Sequence, residues 1–136
     1  MKKEHIHIKN RVDELPTLAQ QLETLGEKWQ LSMALVTNLN LVLEEAISNI
    51  IFYAHEDKKE HQIDIDFVLE KKQLKITITD DGNPFDPTSK EDPDITLSAE
   101  EREIGGLGIF LMGKIMDSLQ YKRENENNIL ILKKEI

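Results

Sequence analysis

The sequence predicts an α/β two-layer sandwich, one sheet with its helices packed as a second layer. Three observations predict it. Apolar residues recur at period two in short stretches near the start, middle and end of the chain, as in strands with one buried side. The stretch from Met33 to about Ala54 is mostly apolar and free of Gly and Pro, which marks a long core helix. The 136 residues contain no cysteine, so one core must be closed by burial alone, without disulfides or thiolate metal sites.

Each element follows in order. Residues 3–10 alternate around Ile6 and Ile8 and form a first strand. Asp13 is then expected to cap a helix whose stripe is Leu15, Leu18, Leu22 and Leu25, with Pro16 tolerated in the first turn. Trp29, near the end of that helix, is expected at the core or its edge. Ser32 is the expected cap of the long helix, which should be buried over much of its circumference. Ile63, Ile65, Phe67 and Leu69, then Leu74 to Ile78, alternate on either side of Glu70-Lys71-Lys72-Gln73 and predict an antiparallel hairpin.

From Asn83 to Ile104 runs an acidic segment with Pro84, Pro87 and Pro93, far longer than the usual connection of about 4–6 residues. Such a segment is disordered or functional. Gly105 to Gly108 leads into a helix from Ile109 to Asp117. Leu119 and Tyr121 open a further strand, and Glu126-Asn127-Asn128 is the expected turn. The unbroken apolar run Ile129 to Leu132 predicts a last strand buried on both faces. The order is β-α-α-β-β-lid-α-β-β, a single domain over 1–136 with the lid at about 83–104.

Composition excludes some functions. A formal net charge of −9 opposes a phosphate backbone, so direct nucleic-acid binding is not expected. No signal peptide or membrane span is expected either: the N-terminus has lysines but no apolar run, and nowhere do eighteen apolar residues follow one another. A cytoplasmic location fits. His5, His7, His55 and His61 show no metal-ligand spacing.

Three short motifs carry the chemistry. Glu45 and Asn49 lie one turn apart, on the same helix face as Asn38 and Leu41 or Val42. A carboxylate on an apolar helix costs desolvation and persists where it faces a cavity, metal or ligand; a solvated helix edge is the plain alternative. Asp80-Asp81-Gly82-Asn83 follows a strand, where a carboxylate can accept from an exocyclic amine, although Asp-Gly is also a common turn. Gly105-Gly106-Leu107-Gly108 precedes an apolar helix and can offer backbone N–H groups to phosphate, or serve as a hinge. It is neither a Walker A loop, lacking G-K-[ST], nor a dinucleotide fingerprint.

In this order and spacing the motifs resemble the GHKL (Bergerat-fold) ATPase superfamily, and within it the anti-sigma-factor serine kinases. The resemblance covers nearly the whole chain. Glu45-x-x-x-Asn49 is similar to the family's N box, Asp80-x-Gly82 to its first glycine box, and Gly106-Leu107-Gly108-Ile109 to its second, with Met116-Asp117 at the end of the next helix. Asp81 to Pro87 resembles the anti-sigma branch in particular. The resemblance implies a mixed, mostly antiparallel sheet covered by three helices.

It also implies roles. Asn49 would ligate Mg²⁺ on the ATP phosphates, and Glu45 would be the general base. Asp80 would accept from the adenine amine, and Gly82 would let the base pack close. Gly106, Leu107 and Gly108 would meet the phosphates, with Arg102 reaching the γ-phosphate from the lid. The implied activity is that of an ATP-dependent serine/threonine kinase phosphorylating an anti-anti-sigma (STAS) protein, with a sigma factor and a second copy of the chain as further partners. Three departures stand out. Pro84 replaces the second glycine of the first box, Asn127-Asn128 replaces a Gly-Thr pair and so removes an expected hydroxyl contact, and Ile104 stands where a basic residue is common. No histidine lies on a helix hairpin suited to autophosphorylation. A nucleotide-dependent binding module and a free-standing ATPase remain the alternative readings.

Overall fold

The computed structural model describes residues 1–57, 59–89 and 106–136. The first strand, β1 (Lys2–Lys9), leads through a short 3-10 turn into helix α1 (Leu15–Lys28), followed directly by helix α2 (Met33–Tyr53). Strands β2 (Gln62–Glu70) and β3 (Gln73–Asp80) form the central hairpin, and helix α3 (Gly106–Ile115) precedes strands β4 (Ser118–Glu124) and β5 (Asn127–Glu135). The strands lie in the order β1-β2-β3-β5-β4. Every pairing is antiparallel, so the sheet is not mixed as the resemblance implied.

Register explains the core. Ile6, Ile65, Ile78 and Leu130 stand side by side across four strands, and Phe67, Ile76 and Leu132 form the next row. All seven are buried beneath the helices, with Leu18, Leu22, Leu39, Leu43 and Ile47. Because side chains alternate along a strand, His5, Asp64, Asp66 and Thr77 fall on the opposite, more open face. Truncating a side chain as enclosed as Leu43 should cost about 2–5 kcal/mol.

Length and apolarity alone would let α2 cross a bilayer, with a mean hydropathy of 1.3. Here it is the core helix, although Leu41, Phe52 and Tyr53 remain exposed, so its buried face is narrower than its composition predicts. Ser32 caps it as expected, its Oγ accepting from Leu35 N at 3.1 Å. Asp13 does not cap α1: it lies in the 3-10 turn and pairs with Arg11, while the helix starts at Leu15 with Pro16 in its first turn and no side-chain cap. Trp29 is buried in the core.

The β4–β5 turn is one step earlier than predicted. Asn125 and Glu126 form it with φ of 52° and 67°, the paired left-handed geometry that suits a twisted two-residue hairpin. Asn127 and Asn128 therefore belong to β5. Ile129 and Ile131 are only half-buried, so β5 is buried on one face rather than two. With one helical layer, the second face of the sheet has nothing to cover it among the described residues.

Candidate nucleotide site

A narrow cleft opens between α2, α3 and the ends of β3, β4 and β5. Its walls are apolar, from Ala46, Ile50, Ile78, Met112 and Leu130, with Phe85 and Pro87 beside them from the start of the predicted lid. Its polar groups are few: Asn49, Asp80, Tyr121 and Asn128. Apolar walls with a few convergent polar groups are the usual make-up of a small-molecule site.

Asp80, 5 % exposed, ends β3 directly opposite Asn128 of β5. Its Oδ2 accepts from Gly82 N at 2.9 Å and from Asn128 Nδ2 at 3.1 Å. Burial pushes the Asp80 carboxyl above its ordinary range, and the bonds from Asn128 and Gly82 pull it part of the way back. The same Asn128 amide donates to Asn83 O at 2.8 Å, and its Oδ1 accepts from Tyr121 Oη at 2.5 Å and from Arg123 at 3.0 Å. Arg123 also donates to Gly82 O at 2.7 Å. A Cβ on Gly82 would fall 2.5 Å from Ala54 Cβ and 2.9 Å from Asp80 Oδ2, so only glycine lets this turn close on the end of α2.

The other end of the cleft is different. Asn49, 7 % exposed, is buried, and its Nδ2 has no hydrogen-bond partner among the described residues. A buried amide normally finds a partner. Glu45 stands one turn earlier, in an adjoining groove lined by Leu41, Ser48, Gly108 and Leu111. Burial raises the Glu45 carboxyl, the Asn49 side chain lowers it and Glu44 raises it further. The Asn49 side chain therefore favours the charged form of Glu45. A Cβ on Gly108 would overlap the Glu45 carboxyl, so a larger residue there would displace that side chain.

The fold thus brings Asn49, Asp80 and Gly82 to one cleft and sets Glu45 and Gly108 against each other beside it. Gly106 opens α3 with Leu107 next to it, and a helix start presents unpaired N–H groups and a positive dipole end. Arg102 lies outside the described residues. Sequence reasoning missed Asn128, Tyr121 and Arg123 as supports of Asp80. The signal was the departure at Asn127-Asn128, whose amide now supplies the contact to Asp80 where a hydroxyl had been expected. His55 and His61, which show no ligand spacing in the sequence, place ligand-type atoms with Asp81 within 4.8 Å of one another.

A two-layer sandwich of one antiparallel sheet and one layer of helices, with an acid-floored cleft under a glycine-started helix, defines a class of nucleotide-binding proteins. Residues 8–134 match the histidine kinase-like ATPase domain family. The chain belongs to that family, in its anti-sigma-factor serine kinase branch. It is similar to the serine/threonine-protein kinase BtrW of Bordetella bronchiseptica, at 30 % identity over 79 % of this chain and 75 % of that one. It is also similar to the serine-protein kinase RsbW of Listeria monocytogenes, at 23 % identity over 82 % and 74 %. Similarity to the anti-sigma F factor of Oceanobacillus iheyensis is 27 % over 62 % and 58 %. The crystal structure of the RsbU and RsbW domains of Rv1364c from Mycobacterium tuberculosis shares the fold, with a TM-score of 0.66 at 12 % identity. This chain is covered over 99 % there and spans 32 % of that chain.

Proposed function

We propose that the protein is an Mg-ATP-dependent serine kinase that phosphorylates a small anti-anti-sigma (STAS-type) protein in the cytoplasm and binds a sigma factor in the alternative state. The observation that carries this reading is the Asn49 amide nitrogen, buried without a partner among the described residues in a cleft whose opposite end holds Asp80, fixed through its Oδ2 by Gly82 N and Asn128 Nδ2. The first end offers a ligand contacts that the protein does not make for itself. The second presents a fixed acceptor.

Asp80 would accept from the adenine amine, with Gly82 shaping the floor beneath the base. Asn49 fits magnesium as a buried amide at the cleft whose side chain is not fully satisfied, its oxygen being the kind of ligand the ion takes. Magnesium binds through one or two protein oxygens together with phosphates and waters, so a single amide is an adequate anchor. When bound, the ion supplies charge neutralisation on the phosphates. Gly106, Leu107 and Gly108 would donate backbone N–H groups to those phosphates at the start of α3, and Arg102 would approach from the lid at 83–104. Glu45, with its carboxyl raised by burial, would take the proton of the attacking serine hydroxyl. Phosphoryl transfer needs mostly positioning and charge stabilisation, which this sparse set provides.

Transfer would add about −1.5 to −2 charges to the acceptor, against a protein whose own net charge is −9. Product release and partner exchange follow from that repulsion. The experiment is transfer from γ-labelled ATP and Mg²⁺ to a STAS protein encoded beside this gene. Label on its serine is the expected result. Tight nucleotide binding with no label would favour a binding module, and phosphate release indifferent to any acceptor would favour an ATPase; either outcome overturns the kinase reading.

A further inference from the structure

We infer that His55, His61 and Asp81 form a binding site for a divalent transition metal of the zinc class, behind the nucleotide cleft and distinct from the magnesium position. The three residues come from separate segments: His55 follows the end of α2, His61 leads into β2, and Asp81 sits in the turn after β3. His55 Nε2 lies 2.9 Å from Asp81 Oδ1, and His61 Nδ1 lies 3.2 Å from the same oxygen. Ligands about 2.0–2.2 Å from a tetrahedral zinc ion stand roughly 3.3–3.5 Å apart, close to these two distances to Asp81, and the stacked rings must part before both can ligate one ion.

The surroundings favour it. His61 Nε2 is 2.9 Å from Asp57 Oδ2. With an ion bound, a proton on Nε2 would be donated to Asp57, leaving the Nδ1 lone pair for the metal. That is the carboxylate–histidine–metal arrangement in which an outer carboxylate fixes the tautomer and raises ligand basicity. The His55 side chain is 5 % exposed and Asp81 is 55 % exposed, so one ligand is anchored in the protein while the carboxylate leaves an open position for water. The two imidazole rings stack at 3.8 Å with 14° between their planes. Their lone pairs converge on one ion only when His61, the more exposed ring, tilts away from its neighbour. Two imidazoles and one carboxylate select zinc-like ions over magnesium, whose preference is for oxygen.

The position gives the site a consequence. Asn83 N already donates to Ala54 O at 2.7 Å, joining the end of α2 to the Asp80–Gly82 turn. An ion held by His55 and Asp81 would replace their direct 2.9 Å contact with a coordinated tie across the same joint, one residue from Asp80.

Calorimetric titration of the nucleotide-free chain with Zn²⁺, in excess Mg²⁺, tests the inference. The expected result is one equivalent bound to the wild type. His61→Gln and Asp81→Asn, both at exposed or partly exposed side chains, should each abolish it. Asp57→Asn should keep the stoichiometry with affinity weakened about 10–100-fold, and His7→Gln should change nothing. The inference is overturned by absence of Zn²⁺ binding in the wild type, or by binding that survives either ligand substitution.

Discussion

The two ends of the cleft solve opposite problems. At Asp80 the protein has met its own needs: the carboxylate takes two hydrogen bonds, and Asn128 is held in turn by Tyr121 and Arg123. At Asn49 it has left a buried amide nitrogen unpaired, beside a carboxylate whose charge is disfavoured by burial. A satisfied network fixes geometry before a ligand arrives, which suits recognition of a flat, neutral base. An unsatisfied one gains its missing contacts from the ligand, which suits a charged group that must be bound and then changed. The difference teaches that the fold has spent rigidity on one end and reserved interaction energy at the other.

The largest expected effect tests the reserved end. Glu45→Ala should lower phosphoryl transfer about 10²–10⁴-fold while leaving nucleotide affinity nearly unchanged, as read by label transfer and calorimetry on the same preparation. Equal loss of both would count against its assignment as base. Gly108→Ala should come next. Its added Cβ would occupy the place of the Glu45 carboxyl, and a base misplaced by about 1 Å can cost on the order of 10²-fold. The transfer rate should fall more than ATP affinity does.

At the satisfied end the effects move from catalysis to binding and stability. Asn128→Ala removes the amide that serves Asp80 and Asn83 together. Stability should drop by about 1–3 kcal/mol, measured by urea unfolding, and the Asp80 carboxyl should titrate still higher in a carbon-detected pH series, because Asn128 is the first group opposing its upward shift.

The smallest effect carries a sign. Burial raises the folded-state pKa of Asp80, so the folded chain holds that proton more tightly than the unfolded chain. Stability from this group therefore falls as pH rises from the ordinary carboxylate range through the raised value, and the loss is complete above it. Asp80→Asn should raise the melting temperature of the nucleotide-free protein at neutral pH by about 2–4 °C, with the gain vanishing at acid pH, while ATP binding weakens. A variant that loses stability at neutral pH would show that the Asp80 network, rather than its buried charge, dominates.

Much of this was legible beforehand. Ser32 was readable as a cap because capping is local, and the alternation of Ile63 to Leu69 announced its strand because side-chain direction depends only on adjacent residues. Glu45, Asn49, Asp80 and the Gly106 to Gly108 segment stood out as polar or glycine positions in otherwise apolar runs. Asp13 was misread because the 3-10 turn and Pro16 start α1 without a side-chain cap. The β5 run was misread because apolar content does not reveal whether a second helical layer exists.

The sequence by itself determined the periodic elements, the acid and amide one turn apart, and the acid-glycine turn, since each depends on residues close along the chain. Only the tertiary structure decided that Asn128 stands opposite Asp80, that His55, His61 and Asp81 meet, and that the Asn49 amide nitrogen has no hydrogen-bond partner among the described residues. Those facts depend on antiparallel register and on helix-to-sheet packing between segments dozens of residues apart. The physical reason is that local periodicity fixes which way a side chain points, whereas burial and its unmet hydrogen bonds exist only once distant surfaces have closed on each other.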